Sequence, residues 1–239
     1  MPATTLDYHA DGLHMHGHLA HSAASAGTRP GVLVFPEAFG LGAQAKSRAD
    51  RLAELGYVAL AGDLHGEQYN ASSLDEALNL LSPLRETPSK IRARAQGALD
   101  ALLAQPGVDP NRIAAIGYCF GGTMALELAR SGAPIAATIG FHSGLATKTP
   151  EDARNIGGQV LVCIGADDPS IDAGQRSAFE AEMRAGGVAW QMSLYGRTVH
   201  SFTNPDAGKL GRPDFAAYSA WADQRSWSEM LNLFAETLR

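Results

Sequence analysis

The sequence predicts an α/β fold: a mainly parallel sheet with helices on both faces and an N-terminal antiparallel hairpin. Three observations carry that expectation. Short apolar runs recur from residue 31, at Gly31–Phe35, Tyr57–Ala61, Arg112–Ile116, Ile135–Ile139, Gln159–Ile164 and Trp190–Tyr195. Runs this short and this apolar suit strands buried on both faces. Helical stretches separate them, and strands that alternate with helices require right-handed crossovers. The first twenty residues follow a different rule. Leu13, Met15 and Leu19 fall on one strand face and His14, His16 and His18 on the other.

Each element then follows in order. Thr4–Tyr8, the Asp11-Gly12 turn signal and the alternating stretch after it read as a hairpin at a sheet edge. Helices are expected at Gln44–Leu55, Ser73–Leu84 and Ser89–Gln105, with Pro83 and Pro88 breaking the connection between the last two. Further helices are expected at Gly122–Arg130 and Gly174–Ala185. Phe215–Leu238 should form one or two more, with Trp221, Trp227, Leu231 and Phe234 packed on the sheet. No repeat, low-complexity tract or linker interrupts the chain, so residues 1–239 are expected to form a single domain.

Composition narrows the function. The 239 residues are 45% hydrophobic and 18% charged, which excludes disordered, collagenous and coiled-coil classes. The net charge of −6 offers no basic footprint for nucleic acid, and Lys90, Arg92 and Arg94 read as a solvated helix face. No apolar run approaches the ~20 residues that span a membrane. Met1–Thr5 has no basic stretch leading into an apolar core, and two cysteines are too few for a disulfide framework. A cytoplasmic protein without membrane or nucleic-acid partners is expected; the oligomeric state stays open.

Chemistry should collect at the carboxyl ends of the parallel strands. There, Gly117-Tyr118-Cys119-Phe120-Gly121-Gly122 lies between a predicted strand and a predicted helix. A Gly-x-nucleophile-x-Gly turn lifts its central side chain out of the sheet, and the flanking glycines let strand and helix approach. The helix N-terminus behind the sulfur favours a thiolate. An acid and then a histidine should follow, each just past a later strand. Gly165-Ala166-Asp167-Asp168-Pro169 and Gly196–Phe202, which contains His200, fill both slots. Cys119 is thus the expected nucleophile, His200 the general base and acid, and Asp168, preferred over Asp167, the group that orients the imidazole. The turn after Gly31–Phe35 nominates the Ala38 amide, with that of Phe120, for an oxyanion hole. Glu37, on the same turn, is expected to partner Cys119 and keep its thiol neutral at rest. Phe39, Tyr118, Phe120 and Phe141 are expected to form an apolar pocket, with His142 beside it. Cys163 is expected to be core.

These pieces together resemble the dienelactone hydrolase family of the α/β-hydrolase fold. The matching segments are Phe35-Pro36-Glu37-Ala38, Gly56-Tyr57-Val58-Ala59, Asp109-Pro110-Asn111-Arg112-Ile113, Gly117–Gly122, Gly165-x-x-Asp168 and His200-Ser201-Phe202. The resemblance implies a Cys–His–Asp triad that hydrolyses lactones or carboxylic esters through a thioester acyl-enzyme, without a cofactor. It also implies that a glutamate matched by Glu37 exchanges partners with the thiol. Members that act on dienelactone carry an arginine four residues after the histidine, where this chain has Asn204. An amide does not replace a bidentate arginine, so a neutral or differently charged small ester or lactone is the expected substrate. Two alternatives keep the scaffold. One is an acyltransferase with the same nucleophile. The other is a non-hydrolytic binding module that holds metal on His14, His16 and His18; no metal is expected at the catalytic residues.

Overall fold

The computed structural model describes residues 3–22 and 27–239. Six strands run parallel: β3 (Arg29–Phe35), β4 (Val58–Ala61), β5 (Val108–Tyr118), β6 (Ala137–Phe141), β7 (Gln159–Gly165) and β8 (Trp190–Tyr195). β1 (Ala3–Ala10) and β2 (Leu13–Ala20) form the antiparallel hairpin, and β2 joins it to β4. The spatial order is β1-β2-β4-β3-β5-β6-β7-β8, with the hairpin at one edge.

Alternation along the strands feeds two cores. Ile113 and Ala115 of β5 pack with Leu99 and Met124, from α3 (Pro88–Leu103) and α4 (Phe120–Arg130). Ala114, Ile116 and Tyr118 point the other way, toward Leu52 and Phe234 of α1 (Ala43–Glu54) and α6 (Ala220–Thr237). α2 (Leu74–Glu86) adds Leu81 and Leu84 to the first face. α5 (Ala173–Ala185) packs Phe179 and Met183 against Val160 and Val162. Each such side chain contributes roughly 1.5–3 kcal/mol by leaving water. Helix starts are capped where the sequence supplies an oxygen: Ser73 accepts from the Glu76 amide, Asp172 from Gln175 and Ser219 from Ala222.

Two expectations change. Pro83 lies inside α2 rather than ending it, because both it and Asn79 one turn earlier face solvent and water replaces the lost donor. Pro88 instead opens α3, where a missing N–H costs nothing. At the C-terminus a single helix begins after Ser219. Trp227 and Phe234 are buried and Leu231 partly so, but Trp221 is 51% exposed, its ring meeting Tyr195 edge-on beyond the sheet. Arg92 and Arg94 are not a free basic face either: Arg92 pairs with Glu127 and Asp152, and Arg94 with Asp11.

One buried ion cluster ties α4 to α5. Arg130 is fully buried; its Nε and Nη2 donate to Glu182 at 2.7 and 2.8 Å, and Nη1 donates to Glu127 at 3.0 Å. Removing the cation would leave two carboxylates buried without it. Arg130→Met is therefore expected to lower the unfolding free energy by about 3–5 kcal/mol, measured by urea titration. An unchanged midpoint would mean that the cluster contributes nothing.

Candidate active site

Three strand ends converge. Cys119 follows β5 with φ 54° and ψ −119° and caps α4. Such a conformation costs a non-glycine residue about 1–3 kcal/mol and persists only where its surroundings impose it. The surroundings do so: a Cβ at Gly117 would lie 2.0 Å from the Gly121 carbonyl oxygen, and one at Gly121 would lie 2.3 Å from that of Phe35. The Cys119 amide donates to Phe141 O (3.0 Å) and to His142 Nδ1 (3.1 Å), which fixes the corner from below. The sulfur is half-buried and opens into a cavity of about 660 Å³.

His200 comes from the loop after β8. Its Nδ1 donates to Asp168 Oδ2 at 2.7 Å, a charge-assisted distance, and Asp168 is buried just past β7. The Asp168 carboxylate also accepts from the Ser170 amide at 2.8 Å. Asp168, not exposed Asp167, therefore meets the imidazole. Cys119 and His200 line the same cavity. Burial opposes protonation of His200, but the Cys119 sulfur and the Asp168 carboxylate outweigh it and hold the imidazole well above its ordinary pKa.

The histidine loop is fastened at several points. His200 N donates to Phe215 O at 3.0 Å, and the Phe215 ring stacks on the imidazole. Buried Arg48 of α1 donates to Thr203 O at 2.7 Å, and Thr203 Oγ1 accepts from His142 Nε2 at 2.9 Å. His142 is neutral: burial first, then the neighbouring His200 and Arg48 charges, push its pKa far down. Its ring stands edge-on to His200, 5.2 Å between centroids. His142, expected beside the pocket, is instead a buried support beneath the site. Tyr118 and Phe141 are likewise buried; they stack on each other at 4.9 Å and do not line the cavity.

Glu37 is placed differently from expectation. Ser201 Oγ and Asn204 Nδ2 donate to its two carboxylate oxygens at 2.7 and 2.6 Å, so the side chain is engaged by the histidine loop rather than by the sulfur. Burial raises its pKa, and those two hydrogen bonds work against that rise. Asn204 reaches a neighbouring cavity on the far side of Glu37 and does not line the one that holds Cys119. Ala38 and Phe120 line the Cys119 cavity, and His65 Nε2 donates to Ala38 O at 2.9 Å, fixing the turn.

Sequence reasoning missed several groups. Phe39 was nominated for the cavity wall; Leu74, Leu78, Ile91 and Phe215 join it there, and Arg85, Lys148 and Arg212 bring positive charge. None of these additions carries a motif. Phe215 lies fifteen residues beyond His200 in sequence, and only the fold brings the two together. His18, grouped above with His14 and His16, pairs instead with Asp50 at 2.8 Å.

A thiol, an imidazole and a carboxylate gathered at the ends of such strands are the kind of site an α/β-hydrolase carries. The chain belongs to the dienelactone hydrolase family, whose profile matches residues 15–238. It is accordingly an enzyme of the lactone and carboxylic-ester hydrolase class, not a binding module alone. A crystal structure of a dienelactone hydrolase-like promiscuous phosphotriesterase from metagenomic libraries is 45% identical, with a TM-score of 0.96 over 100% of this chain and 99% of that one. A Bradyrhizobium protein described as a "probable 2-oxo-3-(5-oxofuran-2-ylidene)propanoate lactonase" is 28% identical, over 82% of this chain and 81% of its own. A Methylorubrum extorquens protein described provisionally as a carboxymethylenebutenolidase is 28% identical over 89% and 74%. No helix among the described residues is long and apolar enough to cross a membrane.

The two thiols should separate in a native labelling experiment. Cys119 faces the cavity, whereas Cys163 is fully buried and burial pushes its pKa far up. Iodoacetamide is expected to add one carbamidomethyl group to the folded protein, at Cys119, and two after denaturation, read by intact mass and peptide mapping. Fast native labelling of Cys163 would contradict that placement.

Proposed function

We propose that this enzyme hydrolyses a small carboxylic ester or lactone through a thioester formed on Cys119. The observation that carries the reading is the 2.7 Å carboxylate–imidazole bond between Asp168 and His200, with His200 and Cys119 lining one cavity. The sulfur, its proton passed to His200, attacks the substrate carbonyl carbon. The oxyanion is received by the amides of Ala38 and Phe120; two such donors are each worth roughly 3–4 kcal/mol in a transition state. The imidazolium gives its proton to the departing alkoxide, and in a lactone that alcohol stays tethered to the acyl group. Water, deprotonated by the same imidazole, then cleaves the thioester and releases the acid. Asp168 keeps the Nδ1–H tautomer and offsets the imidazolium charge.

Glu37 fastens the histidine loop to the turn that carries Ala38, so both halves of the site move together. Apolar walls at Phe39, Phe120 and Phe215 exclude water around the scissile bond, and the cations at the rim favour a substrate with an anionic or strongly polar end. A cytoplasmic home suits a free nucleophilic thiol. The likeness to a promiscuous phosphotriesterase favours a second activity, attack of the same sulfur on a neutral aryl phosphotriester.

Steady-state assays on p-nitrophenyl esters of short acids and on simple lactones test the reading. Cys119→Ala and His200→Ala are each expected to lose at least about 10³-fold in kcat, and Asp168→Asn up to about 10⁴-fold. Undiminished turnover by Cys119→Ala would overturn the assignment. Hydrolysis of a p-nitrophenyl dialkyl phosphotriester, lost in the same variant, would support the second activity.

A further inference from the structure

A second group of metal-type donors lies at the opposite end of the sheet order from β8, on the hairpin edge. Antiparallel pairing sets Asp7 of β1 across from His16 of β2, and His14 falls two residues before His16 on the same face. One donor atom each from Asp7, His14 and His16 lies within 4.8 Å of both others. Asp7 Oδ1 meets His16 Nδ1 at 2.6 Å, whereas Glu67, on the loop after β4, meets the opposite ring nitrogen and stays outside the three-donor group. The Glu67 oxygens stand 3.6 Å from His14 Nδ1 and 3.0 Å from His16 Nε2. The 3.6 Å separation is too long for a hydrogen bond.

The arrangement is held in place by other contacts. Buried Asp63 accepts from the His16 amide (3.2 Å) and from the Gln68 amide (2.8 Å), and so pins β2 at His16 to the loop after β4. His9 stacks on the His14 ring with centroids 4.9 Å apart, which restricts its rotamer. Glu67 is held at φ 52°, a conformation that few non-glycine residues adopt, and this turns its side chain back toward the hairpin. Two imidazoles with one carboxylate suit a borderline divalent transition ion, whereas calcium and magnesium call for oxygen alone.

We propose that Asp7, His14 and His16 form a structural binding site for a divalent transition metal of the zinc type, with solvent completing the coordination. A bound ion would cross-link β1 to β2, the outermost strand pair.

The test is calorimetric titration of the full chain with zinc chloride, any affinity tag removed and Cys119→Ser in place so that the catalytic thiol cannot compete. One equivalent is expected to bind with Kd below about 10 µM. The melting temperature should rise by about 5 °C at a hundredfold excess over Kd. Adding Asp7→Asn and His14→Gln, both solvent-facing, should weaken binding at least tenfold and abolish the thermal shift. A circular-dichroism spectrum matching the parent will show that the variant is folded. Absence of binding up to 100 µM, or equal binding by the variant, would overturn the proposal.

Discussion

The corner between β5 and α4 is the constraint on which the rest of the site depends. Cys119 occupies a backbone conformation that its side chain disfavours, and it holds there because the strand and helix on either side meet without room for a Cβ at Gly117 or Gly121. A strain of about 1–3 kcal/mol at one residue is small beside the burial around it: Ile113, Ala115, Ile116 and Met124 are all at most 1% exposed. The packed sheet therefore dictates where the sulfur goes. Relaxing the corner would lower the local energy and withdraw the sulfur from the cavity.

The histidine arrives from 81 residues further along on the loop after β8, so its position has to be secured separately. Arg48, Thr203 and His142 hold the loop from beneath, Phe215 covers the imidazole, and Glu37 joins Ser201 and Asn204 to the turn after β3. Buried polar groups cost free energy unless they are satisfied, and each of these finds a partner. Keeping His142 neutral matters in the same way. A second imidazolium 5.2 Å from His200 would oppose the protonated state that His200 must reach.

Much of this was legible in the sequence, for physical reasons that can be named. Buried parallel strands cannot alternate, so Gln159–Ile164 announced itself as an apolar run, whereas the half-exposed edge strand Trp190–Tyr195 alternates apolar and polar residues; both observed strands match the expected bounds within a residue. The elbow glycines were legible because close backbone approach admits one residue type. Asp168 and His200 were legible because chain order and strand ends leave few places for them. What failed depended on the third dimension. Tyr118 precedes Cys119, and Phe141 and His142 lie at the end of the neighbouring strand, yet their side chains lie beneath the site. Glu37 reads in sequence as a partner of the sulfur, and its carboxylate here accepts from Ser201 and Asn204, which only the fold brings to it. Pro83 sits in a helix because its exposure, invisible in composition, lets water take the place of the missing donor.

The most direct measurement of the central claim is rapid-quench intact-protein mass spectrometry with a slowly deacylating p-nitrophenyl ester. The account predicts a burst of p-nitrophenol equal to the enzyme concentration. It also predicts a mass increase of one acyl group, mapped to Cys119 and released by hydroxylamine at neutral pH. A burst with no adduct on Cys119, or an adduct confined to another residue, would contradict it.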